Sequence, residues 1–255
     1  MLHDPPYLHQ EPTMEERVDA LTRPLSRPPY EGHDIFVVIP LSWNMTPREF
    51  TSSIEGLRRY YPKVTTVYSD GATIGASRNE GVRCAREAGA RKVLFLDADM
   101  AWQGDPLTSL LARRLPVVGA LCRGRRRPFP AMLWRAAGRE SYERFPPDGD
   151  GLIEVDATGG AFLLVDMEVF DKLDAAYPNW PYFVCRETLV TQHDPDAHNQ
   201  APAQGTFHMS EDIWFCRQVR SLDIPIYVDQ SVKVGHLVTC TIIDGPDHEP
   251  QALFL

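Results

Sequence analysis

Lys92-Val93-Leu94-Phe95-Leu96-Asp97-Ala98-Asp99-Met100 is the stretch on which the reading of this chain turns. An apolar run this short, without polar alternation, is the pattern of a strand buried on both faces, and here it ends in two carboxylates one residue apart. Such strands belong to parallel sheets covered by helices, so the run sets the fold class. In open α/β sheets ligands gather at the carboxyl ends of strands, which makes Asp97 and Asp99 the first residues to examine for chemistry.

Working outward, Ile35-Phe36-Val37-Val38-Ile39 stops at Pro40 and reads as a second strand of the same kind. A helix is expected from Pro47 to Tyr61, a strand from Val64 to Tyr68, a loop from Ser69 to Gly75 and a helix from about Ser77 to Ala88. Downstream, Asp105-Pro106 opens a helix and Pro116 to Leu121 reads as a fourth strand. Strands alternating with helices of these lengths imply right-handed crossovers and a mostly parallel sheet. The second half is less regular, with strands expected at Ala131 to Trp134, Leu152 to Val155, Ala161 to Val165 and Ile226 to Val228, and helices at Met167 to Ala176 and Glu211 to Leu222. The expectation is an α/β protein with a Rossmann-like, mixed, mostly parallel sheet flanked by helices. Its domain spans 34–238, between a Pro-rich extension at 1–33 and a tail at 239–255. Residues 186–208 hold His193, Asp194, Asp196, His198 and His208 without a hydrophobic period. They read as a long flexible loop suited to a lid or an acceptor-binding segment.

Composition narrows the functional classes. A chain of 255 residues that is 43% hydrophobic can bury one sizeable core. It has no run of about 18 apolar residues, and its start, MLHDPPYLHQEP, lacks the basic and apolar regions of a signal peptide. A cytoplasmic protein with no membrane span is expected. Cys84, Cys122, Cys185, Cys216 and Cys240 are scattered, with no Cys-x-x-Cys pair, and read as free thiols. The formal net charge of −9 disfavours a general affinity for nucleic acid. Arg123, Arg125, Arg126 and Arg127 form a local exception after the fourth strand, where they can meet a donor phosphate or an anionic acceptor, or simply make a solvated loop.

Asp-x-Asp occurs at Asp97/Asp99, Asp148/Asp150 and Asp194/Asp196, and only the first pair ends a buried strand. Two carboxylates so placed can share one hard cation that keeps open positions for substrate phosphates. Capping of the next helix is the competing explanation. Pro40, Leu41 and Ser42 follow the first strand, and Ser69 and Asp70 the second.

Gly75-Ala76-Ser77-Arg78-Asn79-Glu80-Gly81, followed by KVLFLDADM, resembles the donor-binding half of GT-A glycosyltransferases. Thr158-Gly159-Gly160-Ala161-Phe162, Ser210-Glu211-Asp212 and Val234-Gly235-His236-Leu237 match the family in the expected order, so the resemblance covers roughly Asp34 to Val238. Within it the chain is similar to small glycosyltransferases of bacteria and their phages. The Gly-Gly, acidic and Gly-His segments are also similar to polypeptide N-acetylgalactosaminyltransferases. The resemblance implies a hexosyltransferase moving a sugar from a nucleoside-diphosphate sugar, UDP-linked, to an acceptor hydroxyl, in the cytoplasm of a bacterium or a phage-infected host. It implies Mn²⁺ (or Mg²⁺) on Asp97, Asp99 and His236. Donor contacts are expected from Pro40, Ser42, Asp70, Arg78, Asn79, Asp97, Ala98, Gly159 and Gly160, with Asp70 on the nucleoside and Arg78 on the phosphates.

Asp212, in preference to Glu211, is the general base implied for inverting members, with Glu211 holding sugar hydroxyls. Bacterial and phage relatives include inverting enzymes and the polypeptide transferases retain, so both stereochemical outcomes stay open. Each residue also has a purely structural explanation. Acids in a first helical turn suit the helix dipole, Gly-Gly can be a turn or bulge as well as a close approach to sugar, and a lone histidine is commonly buried. Trp134, Trp180, Tyr182 and Trp214 suit a stacking platform or a core, with Trp180 or Tyr182 expected at the surface. The acceptor stays open among protein, glycan, small molecule and a hydroxymethylated DNA base. Nucleotidyl transfer on the same fold is one alternative, opposed by Pro40-Leu41-Ser42-Trp43 where a glycine-rich lysine loop belongs. A noncatalytic glycan- or nucleotide-binding module is another, opposed by the retained acids and His236.

Overall fold

The computed structural model describes residues 34–41, 46–61, 64–69, 73–125, 127–138, 141–192, 203–238, 240–244 and 250–254. The first half alternates as expected: β1 (Ile35–Pro40), α1 (Arg48–Tyr60), β2 (Thr65–Ser69), α2 (Ile74–Glu87), β3 (Lys92–Leu96), β4 (Met100–Ala101), α3 (Pro106–Ala112) and β5 (Val117–Leu121). Helix α2 starts three residues before the expected Ser77, because the Thr73 hydroxyl caps it by accepting from the Ala76 N–H at 3.1 Å. Asp105 caps α3 from the Thr108 N–H at 3.0 Å, with Pro106 in the first turn, where a missing N–H costs nothing.

The second half adds β6 (Leu133–Ala136), β7 (Tyr142–Arg144), β8 (Leu152–Val155), β9 (Ala157–Thr158), β10 (Phe162–Asp166), α4 (Met167–Ala176), β11 (Arg186–Gln192) and β12 (Ala203–Met209). It continues with α5 (Glu211–Arg220), β13 (Ile226–Lys233), β14 (Gly235–His236), β15 (Cys240–Asp244) and β16 (Pro250–Phe254). The central sheet has seven strands in the order β2-β1-β3-β10-β5-β13-β8. β1 runs parallel to β2 and β3, β5 runs parallel to β13, and β10 and β8 oppose their neighbours, so the sheet is mixed and mostly parallel, as expected. Helices cover both faces. Val93 and Phe95 of β3 point into a core with α2, α4 and α5, while Leu94 and Leu96 point into one with α1 and α3.

Two features depart from the alternation read in the sequence. β5 does not pair with β3, because β10 inserts antiparallel between them. Phe162-Leu163-Leu164-Val165 is apolar on both faces and therefore fits a central slot, but alternation along the chain does not say which strand fills it. Residues 186–208, expected as one loop, contain the antiparallel pair β11–β12, in register from Arg186↔Met209 to Gln192↔Ala203. A ladder of backbone hydrogen bonds forms without an apolar face, so the missing hydrophobic period did not exclude strands. His193, Asp194, Asp196 and His198 lie outside the described residues, as do residues 1–33. In the tail, β15 and β16 pair antiparallel.

The insertion of β10 builds the site. Running against β3, it brings the Gly159-Gly160-Ala161 turn to the end of β3, where the Asp97 N–H donates to the Ala161 carbonyl at 3.0 Å. α2 is pressed onto β1 at Gly81, where an added Cβ would collide with both γ-methyls of Val38. Gly81→Ala is therefore expected to destabilise the protein by roughly 1–3 kcal/mol, despite the gain of about 1 kcal/mol in helix propensity. The midpoint of denaturant unfolding reads the sign.

Candidate active site

Asp97 follows β3 directly, and the Met100 N–H closes the turn onto its carbonyl at 3.2 Å. β4 then pairs with β14 so that His236 lies opposite Met100, and the Leu237 N–H donates to the Asp99 carbonyl at 2.7 Å. This short ladder carries a residue from the far end of the domain to the acidic turn. One potential ligand atom from each of Asp97, Asp99 and His236 lies within 4.8 Å of the others. His236 Nδ1 sits 2.5 Å from the Arg123 carbonyl, and since a carbonyl only accepts, Nδ1 is the donor of this bond, which fixes the ring's orientation.

Asp99 is held on one side only. Its Oδ2 pairs with Arg125 at 2.7 Å, while Oδ1 is buried without a hydrogen-bond partner among the described residues. Burial pushes its carboxyl above the ordinary range, against the pull of Arg125 and His236. An unsatisfied buried carboxylate oxygen beside a second carboxylate is costly as it stands, and a divalent cation would satisfy it. Two hard oxygens and one imidazole nitrogen fit the Mn²⁺ or Mg²⁺ implied by the sequence.

Arg78, expected as a phosphate contact or else a solvated first-turn residue, has a different setting. It is 2% exposed, and its guanidinium donates from Nη2 to Asp97 Oδ1 and from Nη1 to Glu211 Oε1, each at 2.8 Å. Burial opposes its charge, but Asp97, Glu211 and Asp212 more than offset this and hold the guanidinium protonated. Gly160 makes room for it, since a Cβ there would stand 2.8 Å from Arg78 Cζ. The glycine expected to admit a sugar thus admits an arginine. The Phe183 ring lies 5.7 Å from the guanidinium carbon.

The remaining expected donor contacts divide. Asn79 is turned to Phe183, donating to its carbonyl at 2.8 Å and accepting from its N–H at 3.0 Å, so both ends of the amide are committed to the scaffold. One residue along a helix is a 100° rotation, which takes Asn79 off the face that Arg78 occupies. Pro40 is buried at the end of β1, paired with Ser69, and does not line the cleft. Ala98 packs against the core beneath the acidic turn. Ser42 and Asp70 lie outside the described residues.

Glu211 and Asp212 open α5 with different attachments. Glu211 is held by Arg78. Asp212 Oδ1 accepts from the Ile213 N–H at 2.8 Å and from the Ser210 hydroxyl, while Oδ2 looks toward Gly159, 3.7 Å from where a Cβ would sit. Asp97, His236, Gly159, Gly160, Glu211 and Asp212 share one cleft of about 490 Å³. Its other lining residues include Cys122, Arg125, Arg127, Met132 and Arg144. Arg125 and Arg127 belong to the cluster seen in the sequence, where Arg126 lies outside the described residues. Arg144 and Phe183 carried no signal there.

Trp134, Trp180, Tyr182 and Trp214 are not among the lining residues. Trp180 is 47% exposed and stacks on Trp214 at 6.1 Å, with the Arg186 guanidinium against both rings. Asp148 bonds to Gln230 and Asp150 pairs with Lys233, away from any histidine, so among the described residues only the first Asp-x-Asp gathers a third ligand.

No protein-family model matches the chain, and no curated protein matches it. Among solved structures, A197 from STIV aligns over 86% of this chain and 92% of its own length, with 16% identity and a TM-score of 0.50, which shows a shared fold. A glycosyltransferase involved in glycosylation of the major capsid of PBCV-1 aligns over 58% of this chain and 69% of its own, with 13% identity and a TM-score of 0.33. The uridine diphosphate N-acetylglucosamine pyrophosphorylase from Trypanosoma brucei aligns over 64% and 41%, with 9% identity and a TM-score of 0.30. The last two scores are too low to argue from. Among the described residues no helix is long and apolar enough to cross a membrane.

Removing the Arg78 guanidinium leaves Asp97 and Glu211, each 15% exposed, without their shared cation. Arg78→Met is expected to cost roughly 3 kcal/mol in denaturant unfolding. Arg78→Lys should recover only part of this, since an ammonium lacks the fork that spans two carboxylates.

Proposed function

We propose that this chain is a metal-dependent glycosyltransferase on a GT-A-type fold, moving a sugar from a UDP-linked donor to an acceptor hydroxyl. The observation that carries the reading is the convergence of Asp97, Asp99 and His236 at the carboxyl end of β3, in a cleft shared with an acid, Asp212, that has one oxygen turned inward.

Asp97, Asp99 and His236 would hold Mn²⁺ (or Mg²⁺), which when bound supplies positive charge against the nucleoside diphosphate that leaves. Arg78 lines the same cleft and fixes the orientation of Asp97. Arg125, half exposed and already on Asp99, is the guanidinium suited to the diphosphate oxygens. Asp212 accepts the proton from the acceptor hydroxyl at Oδ2 as that oxygen attacks the anomeric carbon, a direct displacement that inverts the centre. Ser210 and the Ile213 N–H keep its other oxygen in place. Glu211 orients the site through Arg78 rather than taking the proton.

Nucleotide-sugars are incubated with the protein, with and without Mn²⁺, and the products weighed by mass spectrometry. Metal-dependent release of UDP from one donor is the expected result, whereas release of pyrophosphate would mean nucleotidyl transfer instead. Asp99→Asn should lower this turnover about 100-fold or more and abolish the rise in melting temperature that Mn²⁺ produces. An Asp99→Asn protein with full, Mn²⁺-dependent turnover would overturn the metal assignment.

A further inference from the structure

Both carboxylates of the acidic turn already carry a guanidinium, and the two pairs are held differently. Arg78, with a side chain 2% exposed, sits between Asp97 and Glu211, and Gly160 packs against its guanidinium. Displacing it would strand two largely buried carboxylates, so it is a fixed part of the fold. Arg125 is the opposite case. Its side chain is 52% exposed, and Asp99 Oδ2 at 2.7 Å is its one ion-pair partner among the described residues. An ion pair so open to water contributes little to stability and exchanges readily.

The backbone beneath Arg125 is pinned. The Gly124 N–H donates to the Pro130 carbonyl at 2.8 Å, Arg123 Nη1 donates to the Phe129 carbonyl at 3.2 Å, and the Arg123 carbonyl accepts from His236 Nδ1. Parting Arg125 from Asp99 therefore takes the rotation of one flexible side chain and no movement of the loop. Asp99 Oδ1 is buried without a hydrogen-bond partner among the described residues, and the same carboxylate lies within reach of Asp97 and His236. A divalent cation on these three residues would share the Asp99 carboxylate with a guanidinium. Two cations on one carboxylate repel, and in a partly buried site that repulsion outweighs a half-exposed ion pair.

Resting on the glycosyltransferase reading above, we propose that Arg125 is an exchangeable counterion for the metal site. It neutralises Asp99 until a divalent cation arrives, then leaves that carboxylate for the diphosphate of the nucleotide-sugar. A cation that binds without a donor displaces Arg125 with no new partner for it, whereas a diphosphate offers the guanidinium oxygens in place of the one it loses. Cation and donor binding are thereby coupled, each favouring the other. Arg78 is the counterion that stays, and Arg125 the one that is exchanged.

The test is calorimetric titration of Mn²⁺ into the parent and into Arg125→Gln without nucleotide, and of UDP into each at saturating Mn²⁺. Arg125→Gln is expected to bind Mn²⁺ about tenfold more tightly than the parent, because a charge opposing the cation is gone. It should bind UDP about tenfold more weakly, because a charged donor to the diphosphate is gone. Arg125→Lys keeps a positive charge and should leave the Mn²⁺ affinity near that of the parent. Adding Asp99→Asn to Arg125→Gln should remove the gain, which places it at Asp99. If Arg125 merely held Asp99 in position, Arg125→Gln would bind Mn²⁺ more weakly. That result, an unchanged Mn²⁺ affinity, or Arg125→Lys binding as tightly as Arg125→Gln overturns the proposal. Should neither the parent nor Arg125→Gln bind Mn²⁺, the proposal and the metal assignment fall together. Should Mn²⁺ bind as expected and UDP bind to no form, the glycosyltransferase reading falls and the exchange at Asp99 stands.

Discussion

The Arg78 guanidinium, buried between Asp97 and Glu211, is the interaction on which the rest of the site depends. A lone guanidinium at that depth would be strongly destabilising, and two largely buried carboxylates close together would repel. Each therefore requires the other two. The ion pair ties the end of β3 to the start of α5, which are otherwise separate elements, and it does so from the second turn of α2. Gly160 leaves the space and Phe183 the floor. Phe183 is in turn locked by the Asn79 amide and by rings of Phe95 and Phe215 at 4.9 and 4.6 Å. Charge at the surface of the cleft is thus anchored to an aromatic core.

The acidic turn was legible in the sequence because its signal is local: a short apolar run ending in two aspartates. The β1, β3 and α4 boundaries were close to those expected for the same reason. His236, Glu211 and Asp212 were reached through segment order, and the structure brings them to the cleft with Asp97, which spacing alone does not reveal. Arg78 could be picked out but not understood, since its partners stand 19 and 133 residues away and pairing at such distances leaves no local trace. The same holds for β10, whose apolar run identified a buried strand but not its neighbours. Asn79 sits beside Arg78 in the matched segment, yet rotation along the helix sends it to the scaffold. Arg144, alone in a short polar strand, had nothing to distinguish it from any exposed arginine.

The two acids of α5 illustrate how identical chemistry is divided by attachment. Glu211 and Asp212 are adjacent, both in the first turn and both favoured there by the helix dipole. Glu211 is neutralised by an ion pair, while Asp212 keeps one oxygen on its own turn and turns the other to the cleft. Position along a helix, and not residue type, separates a carboxylate held in an ion pair from one that faces the cleft.

The two-residue ladder between β4 and β14 has a consequence for how binding strength is set. Because the ladder and the Arg123 carbonyl fix the His236 ring during folding, no segment needs to be ordered when a third ligand is called on. For a cation held by Asp97, Asp99 and His236, the entropy of assembling the donor set would be met by the fold rather than by the ligand. Opening of this one short ladder would dilute the population competent to bind, so local opening free energy at Gly235 and His236 would enter the apparent affinity of such a site.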